Sequence, residues 1–446
     1  MDARDAMTCM MPFADLETIL PTAAAWRTEE AVPMADDIRI LRSLFEAALA
    51  AALPDGKFAA NLPDPPRGRT IVLGAGKASA RMAQAFEAAW SHPCEGLVVT
   101  RYGHAAATRR IGIVEAAHPV PDRAGVEAAE RILELASGAD PDDLVVCLIS
   151  GGASALLSLP AKGVSLADKQ EVTKALLKSG APIHEMNQVR KSLSRIKGGR
   201  LALAAAPARV VTYVISDVPG DDPASIGSGP SIPEPQDADE VFTILDRYGI
   251  GISPAMKDAI IGNCELPVGA AASDVRVLAT PMMALKAAEA KAREMGLNPL
   301  VLGDAIEGEA REVAKGLAGL ARSVSDYDIP AIKPCVLLSG GETTVTVRGK
   351  GRGGRNAEFL LALHLALTEF PNVAAIACDT DGIDGIEDNA GAWFDHRSPS
   401  PADPALDATA FLADNDAYGY FSRLDQLVMT GPTLTNVNDF RAILIR

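Results

Sequence analysis

Residues 70–89 read TIVLGAGKASARMAQAFEAA. An apolar run ends in two glycines and a lysine, and a segment with apolar residues at helical spacing follows at once. This order predicts a β-strand, a tight turn and an α-helix. The same order recurs at residues 143–157. Strands that alternate with helices predict a parallel sheet covered on both faces, so the fold class is α/β.

The pattern continues on both sides of this stretch. A capping box and a terminal glycine predict a helix over residues 165–180, and a second helix is predicted over 184–205. After residue 270 the pattern restarts, with a hairpin-like run at 345–347. These features predict three segments: an extra, poorly ordered N-terminal segment at 1–33, an N-terminal domain at 34–265, and a smaller C-terminal α/β domain at 270–446.

The composition narrows the class of partner. The 446 residues carry a net charge of −16, with a pI near 4.9, which argues against nucleic acid or an anionic membrane as the partner. The six cysteines form no CxxC pair, no apolar run is long enough for a membrane span, and the N-terminus lacks a basic region typical of a signal peptide. We therefore predict a cytoplasmic enzyme that binds a small anionic ligand. The sequence leaves homo-oligomerisation open.

Residues 336–358, VLLSGGETTVTVRGKGRGGRNAE, combine glycines with cations. Glycine lets backbone N–H groups turn toward a ligand, and the helix predicted to begin at Asn356 adds its positive end. Lys350, Arg352 and Arg355 lie in the same loop. This combination predicts a phosphate clamp.

The turn with Gly74, Gly76, Lys77 and Ser79 fits two nucleotide-binding motifs imperfectly. A Walker A loop needs more residues before its Gly-Lys pair, and a dinucleotide fingerprint needs glycine at position 79 and an acid after the next strand. A tight strand-to-helix turn is the structural alternative. Lys77 favours an anion site, because a lysine opposes the dipole at a helix N-terminus.

Two further segments carry polar groups next to glycines. The stretch SGGAS (150–154) predicts an anion site at a helix start, against a packing role for its glycines. Arg190 and Lys197 fall on one face of the predicted helix 184–205, which could equally be a solvated face. His118 lies in a proline-rich turn and is interpreted as structural.

Acidic residues follow two apolar strands. Asp217 lies in one loop, and Asp379, Asp381 and Asp384 lie in another. Magnesium is commonly held by one or two carboxylates and substrate phosphates, so these loops predict a Mg²⁺ site and a proton acceptor. Helix caps and turns are the alternative role for aspartates beside glycines.

These motifs together resemble the glycerate 2-kinase family with a C-terminal MOFRL domain. The resemblance runs from about Met34 onward and rests on GAGKAS, HPVPD, SGGASALL, NQVRKSLSRIKGGRLA, SDVPGDDPASIGSGP, LSGGETTVTVRGKGRGGRNAE, DTDGIDG and GPTLTNVND. It implies phosphorylation of D-glycerate to 2-phosphoglycerate with ATP and Mg²⁺. It also implies a Rossmann-like three-layer N-terminal domain, a MOFRL-type C-terminal domain and an active site in the cleft between them.

The motifs and the resemblance together assign expected roles to residues of this chain. Catalytic roles are expected for Lys77, Arg355, Asp379 and Asp381. Metal binding is expected for Asp217, Asp381 and Asp384. Contacts with substrate or ATP are expected for Gly74, Gly76, Ser79, Ser150, Gly151, Gly152, Ser154, Arg190, Lys197, Asp217, Gly340, Gly341, Glu342, Gly353, Gly354 and Asn436. The glycerate carboxylate is expected at the SGGAS turn.

Relatives of this family have also been called hydroxypyruvate reductases, and an NAD(P)H-dependent reductase is the alternative function. The GAGKAS turn lacks the third glycine and the ribose-binding acid of a dinucleotide site. The residues therefore favour the kinase.

Overall fold

The computed structural model describes residues 36–264, 274–403 and 405–446. The predicted N-terminal segment 1–33 lies outside the described residues. Within the described ranges, no helix is both long enough and apolar enough to cross a membrane.

The first sheet has six strands, all parallel. Its order is β3-β2-β1-β4-β5-β6. The strands are β1 (Thr70–Ala75), β2 (Glu95–Arg101), β3 (Ile111–Ala116), β4 (Leu144–Ser150), β5 (Arg209–Ile215) and β6 (Asp274–Ala279). The predicted parallel sheet is confirmed. Because the strand order reverses between β1 and β4, a ligand crevice is expected at the carboxyl ends of these two strands.

Helices cover both faces of this sheet. Those closest to it are α2 (Ser79–Ala89), α3 (Arg123–Ser137), the short α4 (Ala153–Leu156) and α7 (Arg200–Ala205). Four more form a separate apolar cluster: α5 (Leu166–Ser179), α6 (Ile183–Ser192), α8 (Ala238–Arg247) and α9 (Pro254–Cys264). The predicted capping box of α5 is confirmed at Ser165 and Asp168, and Gly180 ends the helix in the left-handed region.

The single helix predicted over residues 184–205 is wrong. The chain leaves the helical conformation after α6 and resumes it only at α7. Gly198 and Gly199 have φ values of +61° and +82°, which a right-handed helix cannot accommodate. In addition, Ala161 N and Arg195 N donate to the carbonyls of Leu193 and Leu159, so the intervening segment pairs with another stretch of chain.

The second sheet also has six strands but is mixed. Its order is β13-β12-β11-β14-β9-β7, and β7 and β9 are its parallel pair. The strands are β7 (Asn298–Gly303), β9 (Cys335–Gly341), β11 (Val373–Asp379), β12 (Gly391–Phe394), β13 (Leu427–Val428) and β14 (Asp439–Ile445). Its outer helices are α11 (Ala310–Tyr327), α12 (Arg355–Ala366), α13 (Ala408–Ala413) and α14 (Ala417–Arg423).

The hairpin-like run predicted at residues 345–347 is not a strand. Instead, the two-residue strand β10 (Thr343–Thr344) pairs in parallel with β8 (Gly308–Glu309). The chain then continues as an irregular loop to α12. The alternating valines therefore reflect a loop that leaves the sheet edge.

Two helices lie between the sheets and join them. They are α1 (Asp36–Ala52) and α10 (Pro281–Glu294), and one apolar cluster includes both helices and the facing strands of both sheets. Phe45 of α1, for example, contacts Phe440 of β14, with ring centroids 5.6 Å apart. The boundary predicted between residues 265 and 270 falls outside the described residues. Because β6 still pairs with β5, we propose that the first domain extends to Ala279.

Candidate active site

An ion pair connects the two sheets at their carboxyl edges. Lys77 lies in the turn after β1, and its Nζ donates to Oδ2 of Asp381, which follows β11, at 2.5 Å. Burial lowers the pKa of Lys77, but attraction to Asp381 and Asp379 outweighs burial and holds it above its usual value. Burial likewise raises the pKa of Asp381, yet Lys77 holds that pKa below its usual value. Both groups therefore stay charged at neutral pH.

Arg355 continues this cluster on the second sheet. Its Nε donates to Asp439 Oδ1 at 2.7 Å, its Nη2 to Asp379 Oδ2 at 2.9 Å and its Nη1 to Glu342 Oε1 at 3.0 Å. Asp379 is also hydrogen-bonded to the backbone of Asp381 at 3.0 Å. Arg355 therefore binds Asp379, and Lys77 binds Asp381, whose amide is hydrogen-bonded to Asp379.

Asp217 joins the cluster from the loop after β5. Asn436 Nδ2 donates to Asp217 Oδ2 at 3.0 Å. Gly151 packs directly against both, since a Cβ there would lie 1.8 Å from Asp217 Oδ2 and 2.4 Å from Asn436 Nδ2. Only glycine fits at position 151, which places the predicted SGGAS turn beside the cluster.

The SGGAS turn has backbone amides that are available to bind an anion. Among the described residues, no acceptor is present for the amide groups of Gly151 to Ser154. Gly152 has a φ of +81°, and its Cβ position lies 3.2 Å from Lys77 Cγ and from the His118 ring. Consecutive amides around a left-handed residue form a concave anion site, here next to a lysine.

The GAGKAS turn, by contrast, uses its amides internally. Gly76 N, Lys77 N and Ala78 N donate to Val99 O, Gly151 O and Ser150 Oγ. The Ser79 hydroxyl is buried and donates to the carbonyls of Gly76 and Val99. Four residues predicted to contact a ligand therefore hold the turn together: Gly74, Gly76, Ser79 and Ser150. A Cβ on Gly74 would lie 2.3 Å from Leu148 O, and one on Gly76 2.1 Å from Ser150 Oγ.

Most amides of the glycine-cation loop, which was predicted to clamp phosphate, have acceptors within the chain. The amides of residues 348–352 donate to acceptors in the segment 414–416. Cβ atoms on Gly349 and Gly351 would lie 2.1 Å and 2.3 Å from that segment, so these glycines serve packing. Among the described residues, no acceptor is present for the amides of residues 353–355, which include the predicted Gly353 and Gly354. The prediction of a phosphate clamp is thus narrowed to this short stretch and Arg355.

Gly340 and Gly341 also serve packing. A Cβ on Gly341, where φ is +119°, would lie 2.3 Å from Ile306 O. Ile306 N donates to Gly340 O at 3.3 Å. The two glycines allow the segment after β7 to cross the end of β9, and the predicted contact with a ligand stays a prediction.

Asp384, predicted to be a metal ligand, instead caps α12. Its Oδ1 accepts from Asn356 N at 2.9 Å and its Oδ2 from Ala357 N at 2.8 Å. A Cβ on Gly354 would lie 2.3 Å from its Oδ1. Both carboxylate oxygens are therefore used within the protein. Across the described residues, no three His, Cys, Asp or Glu side chains are arranged to hold a metal ion.

Replacement of this cap tests its role. We expect Asp384→Ala to lower the free energy of unfolding by about 2 kcal/mol, because two buried amides lose their acceptor. The loss should be equal in the presence and absence of magnesium chloride, as measured by urea unfolding. Asp388→Ala, at an exposed position of the same loop, is the control. A loss that appears only with magnesium would identify Asp384 as a metal ligand.

The protonation of Asp217 gives a second test. Burial, followed by repulsion from Glu342, raises its pKa from 3.8 to about 7, against the attraction of Lys77. Between these values the folded chain holds a proton that the unfolded chain has lost, so stability falls as the pH rises from about 4 to about 7. In magnesium-free buffer, the free energy of unfolding of Asp217→Asn should exceed that of the wild type by about 2 kcal/mol across this range, after allowance for the partial exposure of Asp217. A difference in unfolding free energy that is constant with pH would contradict this expectation.

Several residues of the site were not predicted. Asp439 contacts Arg355, and Arg441 donates to Asp439 Oδ2 at 2.5 Å. Asp439 is the last residue of the GPTLTNVND motif. Its position after a polar turn is the sequence feature that could have identified it as a site residue. His118 was interpreted as structural, yet its ring lies against Gly152 in the site. Lys197 binds the carbonyl of Ser154, and among the described residues neither Lys197 nor Arg190 is paired with a carboxylate of the cluster.

The sheets and this site define an α/β enzyme whose two halves share one set of buried carboxylates. Residues 40–261 match a family described as a domain of unknown function, DUF4147, and residues 335–439 match the MOFRL family. A D-glycerate 2-kinase from Thermotoga maritima is 38% identical over 399 residues, which cover 89% of this chain and 95% of the relative. The chain belongs to the glycerate 2-kinase family.

Two further relatives match this chain over most of its length, and one of them also matches its fold. The crystal structure of a glycerate kinase from Thermotoga maritima superposes with a TM-score of 0.83 and 36% identity, covering 92% of this chain and 100% of that one. A protein from Agrobacterium vitis, provisionally named a hydroxypyruvate reductase, is 52% identical over 412 residues, which cover 91% of this chain and 94% of the relative. Relatives thus carry the names of both functions that the sequence suggested.

Proposed function

We propose that the chain transfers the γ-phosphoryl group of ATP to the 2-hydroxyl of D-glycerate. The observation that supports this proposal best is that Lys77, after a strand of the first sheet, binds Asp381, while Arg355, next to the second sheet, binds the neighbouring Asp379. Phosphoryl transfer needs cations that neutralise the transferring group and a carboxylate beside the attacking hydroxyl. Names of relatives, such as the Thermotoga maritima D-glycerate 2-kinase, support the same substrate.

The geometry suggests a role for each group. Lys77 and Arg355 would contact the phosphates, together with the available amides of residues 353–355. The amides of residues 151–154 would hold the acceptor substrate. Asp381, which Lys77 keeps ionised, would accept the hydroxyl proton once the phosphates draw the lysine toward them. Asp379, whose pKa burial and then Asp381 raise, orients Arg355 through the hydrogen bond to Nη2.

The residues of this site fit a magnesium ion that would be bound by the protein and the nucleotide together. Among the described residues, no hydrogen-bond donor reaches Asp217 Oδ1 or Glu342 Oε2. Repulsion between these two carboxylates contributes to the raised pKa of Asp217, so a divalent cation between them would relieve it. Asp217 and Glu342 would therefore hold the ion with nucleotide phosphates, a common arrangement for magnesium. The ion would neutralise phosphate charge.

The reductase alternative lacks a dinucleotide site in the expected place. The amides of Gly76, Lys77 and Ala78 all have acceptors within the chain, so a pyrophosphate has no donors there. β2 ends in Thr100 and Arg101, with no acid for the ribose. The site therefore favours phosphoryl transfer over hydride transfer.

One pair of assays tests the proposal. ATP, magnesium and D-glycerate are supplied, and the product is identified by phosphorus NMR, which distinguishes 2- from 3-phosphoglycerate. In parallel, the oxidation of NADH and NADPH is followed with hydroxypyruvate. We expect 2-phosphoglycerate and no oxidation. Oxidation without a phosphorylated product would establish the reductase.

We also propose a cytoplasmic location and a role in carbohydrate metabolism. The five described cysteines are free thiols, four of them buried, which is typical of a reducing compartment. The expected partners are the small-molecule substrates.

A further inference from the structure

Lys169 of α5 is a buried cation without a partner. Lys169 is only 6% exposed, and its Nζ has no hydrogen-bond partner among the described residues. Proteins almost always pair a buried ammonium group, because its removal from water is costly. A bound anion would supply the missing partner.

Two further cations lie near Lys169. Arg190 of α6 is partly exposed and forms no hydrogen bond or ion pair with any described residue. Lys197 is fully buried, and its Nζ donates to the carbonyls of Ser154 at 2.7 Å and Leu157 at 2.9 Å. Burial, followed by Arg190 and Arg200, lowers the pKa of Lys169 to about 7. These cations therefore repel one another, and no carboxylate among the described residues offsets them.

This group adjoins the substrate side of the proposed active site. The carbonyl that Lys197 binds belongs to Ser154, the last residue of the SGGAS turn. The Ser154 hydroxyl lies 2.9 Å from that of Ser228, which donates to Asn187 Oδ1, one helical turn before Arg190. Gln170, next to Lys169, donates to Pro121 O in the loop that carries His118. Lys197 thus contacts the same turn whose amides lack acceptors, and neighbours of Lys169 and Arg190 in the chain are hydrogen-bonded to its surroundings.

We infer that Lys169 and Arg190 bind the carboxylate of the acceptor substrate, with the SGGAS amides, and that Lys197 positions this turn. This inference rests on the proposed kinase function and deepens it, because it names the side chains that recognise the carboxylate of D-glycerate. A carboxylate would accept hydrogen bonds from an ammonium and a guanidinium at once. Hydrogen bonds between ionised groups are stronger than those between neutral groups. The acceptor's hydroxyl would then point from the turn toward Lys77 and Asp381.

Steady-state kinetics with D-glycerate and ATP test the assignment. Lys169→Met and Arg190→Met should each raise the KM for D-glycerate about 30-fold, as expected for loss of a charged hydrogen bond, and change the KM for ATP less than about two-fold. Lys174→Met, exposed on the same helix, is the matched control and should change neither. An unchanged KM for D-glycerate in both variants would overturn the assignment.

Thermal unfolding separates this assignment from a structural role and from the proposed kinase function. Without ligands, Lys169→Met should melt at or above the wild-type Tm, because an unpaired buried charge is removed. D-glycerate, without ATP, should raise the Tm of the wild type but not of either variant, and glycerol should have no such effect. A lower Tm with an unchanged KM would show a structural lysine. Stabilisation by D-glycerate without product would refute the kinase yet support the carboxylate site.

Discussion

Arg355→Lys is expected to lower kcat by about three orders of magnitude, a loss typical for a cation that stabilises a transferring phosphoryl group. The guanidinium reaches Asp439, Asp379 and Glu342 at once, with 22% of the side chain exposed. An ammonium at this position keeps the charge but lacks the planar fork that makes these three directed contacts together. The variant therefore separates geometry from charge, and kcat measured at saturating ATP and D-glycerate is the readout.

Arg352→Lys is the matched control because it makes the same change in the same loop. Arg352 is 60% exposed, pairs with Glu387 and lies over the Tyr418 ring. Its kcat is expected to stay within about two-fold of the wild type, since exposed pairs contribute little. Equal losses in the two variants would show that the loop needs arginines for its structure and would refute the catalytic role of Arg355.

Lys77→Met is expected to lower kcat by at least about three orders of magnitude, because it removes the cation that we propose lies between the phosphates and Asp381. It should also lower the free energy of unfolding by about 3 kcal/mol, since Asp381 would be left buried and unpaired. Urea unfolding and kcat therefore need to be measured on the same protein.

The double variant Lys77→Met/Asp381→Asn distinguishes these two effects. Removal of the second charge should recover most of the lost stability but none of the activity. If the double variant recovers activity together with stability, Lys77 serves the fold and not the chemistry. Activity in Lys77→Met within about ten-fold of the wild type would lead to the same conclusion, because that loss is far smaller than a phosphate-binding cation requires.

Local patterns in the sequence predicted the elements well and the roles of single residues less well. The GAGKAS turn, with its preceding strand and following helix, was predictable because periodicity and turn chemistry act over a few residues. Arg352 and Arg355 are indistinguishable at that range. Their difference depends on Asp439, which lies 84 residues beyond Arg355 in the chain and next to it in the fold.

The aspartates of the DTDGIDG motif show the same limit. Asp381 faces Lys77 of the other sheet, whereas Asp384, three residues later, accepts two amides at the start of α12. Both follow the same strand and both have neighbouring glycines. Which aspartate serves chemistry and which caps a helix is decided by the tertiary contacts of each, and a single sequence contains no direct record of those contacts.

The helices α1 and α10 decide how the whole molecule can move and melt. These helices complete one apolar core with strands from both sheets. Separation of the sheets would therefore expose the inner face of each sheet to water. The chain should therefore melt in a single calorimetric transition, and a fragment containing only one sheet should aggregate. Substrates would then enter and leave through movements of side chains and loops at the rim, without a hinge between two separate lobes.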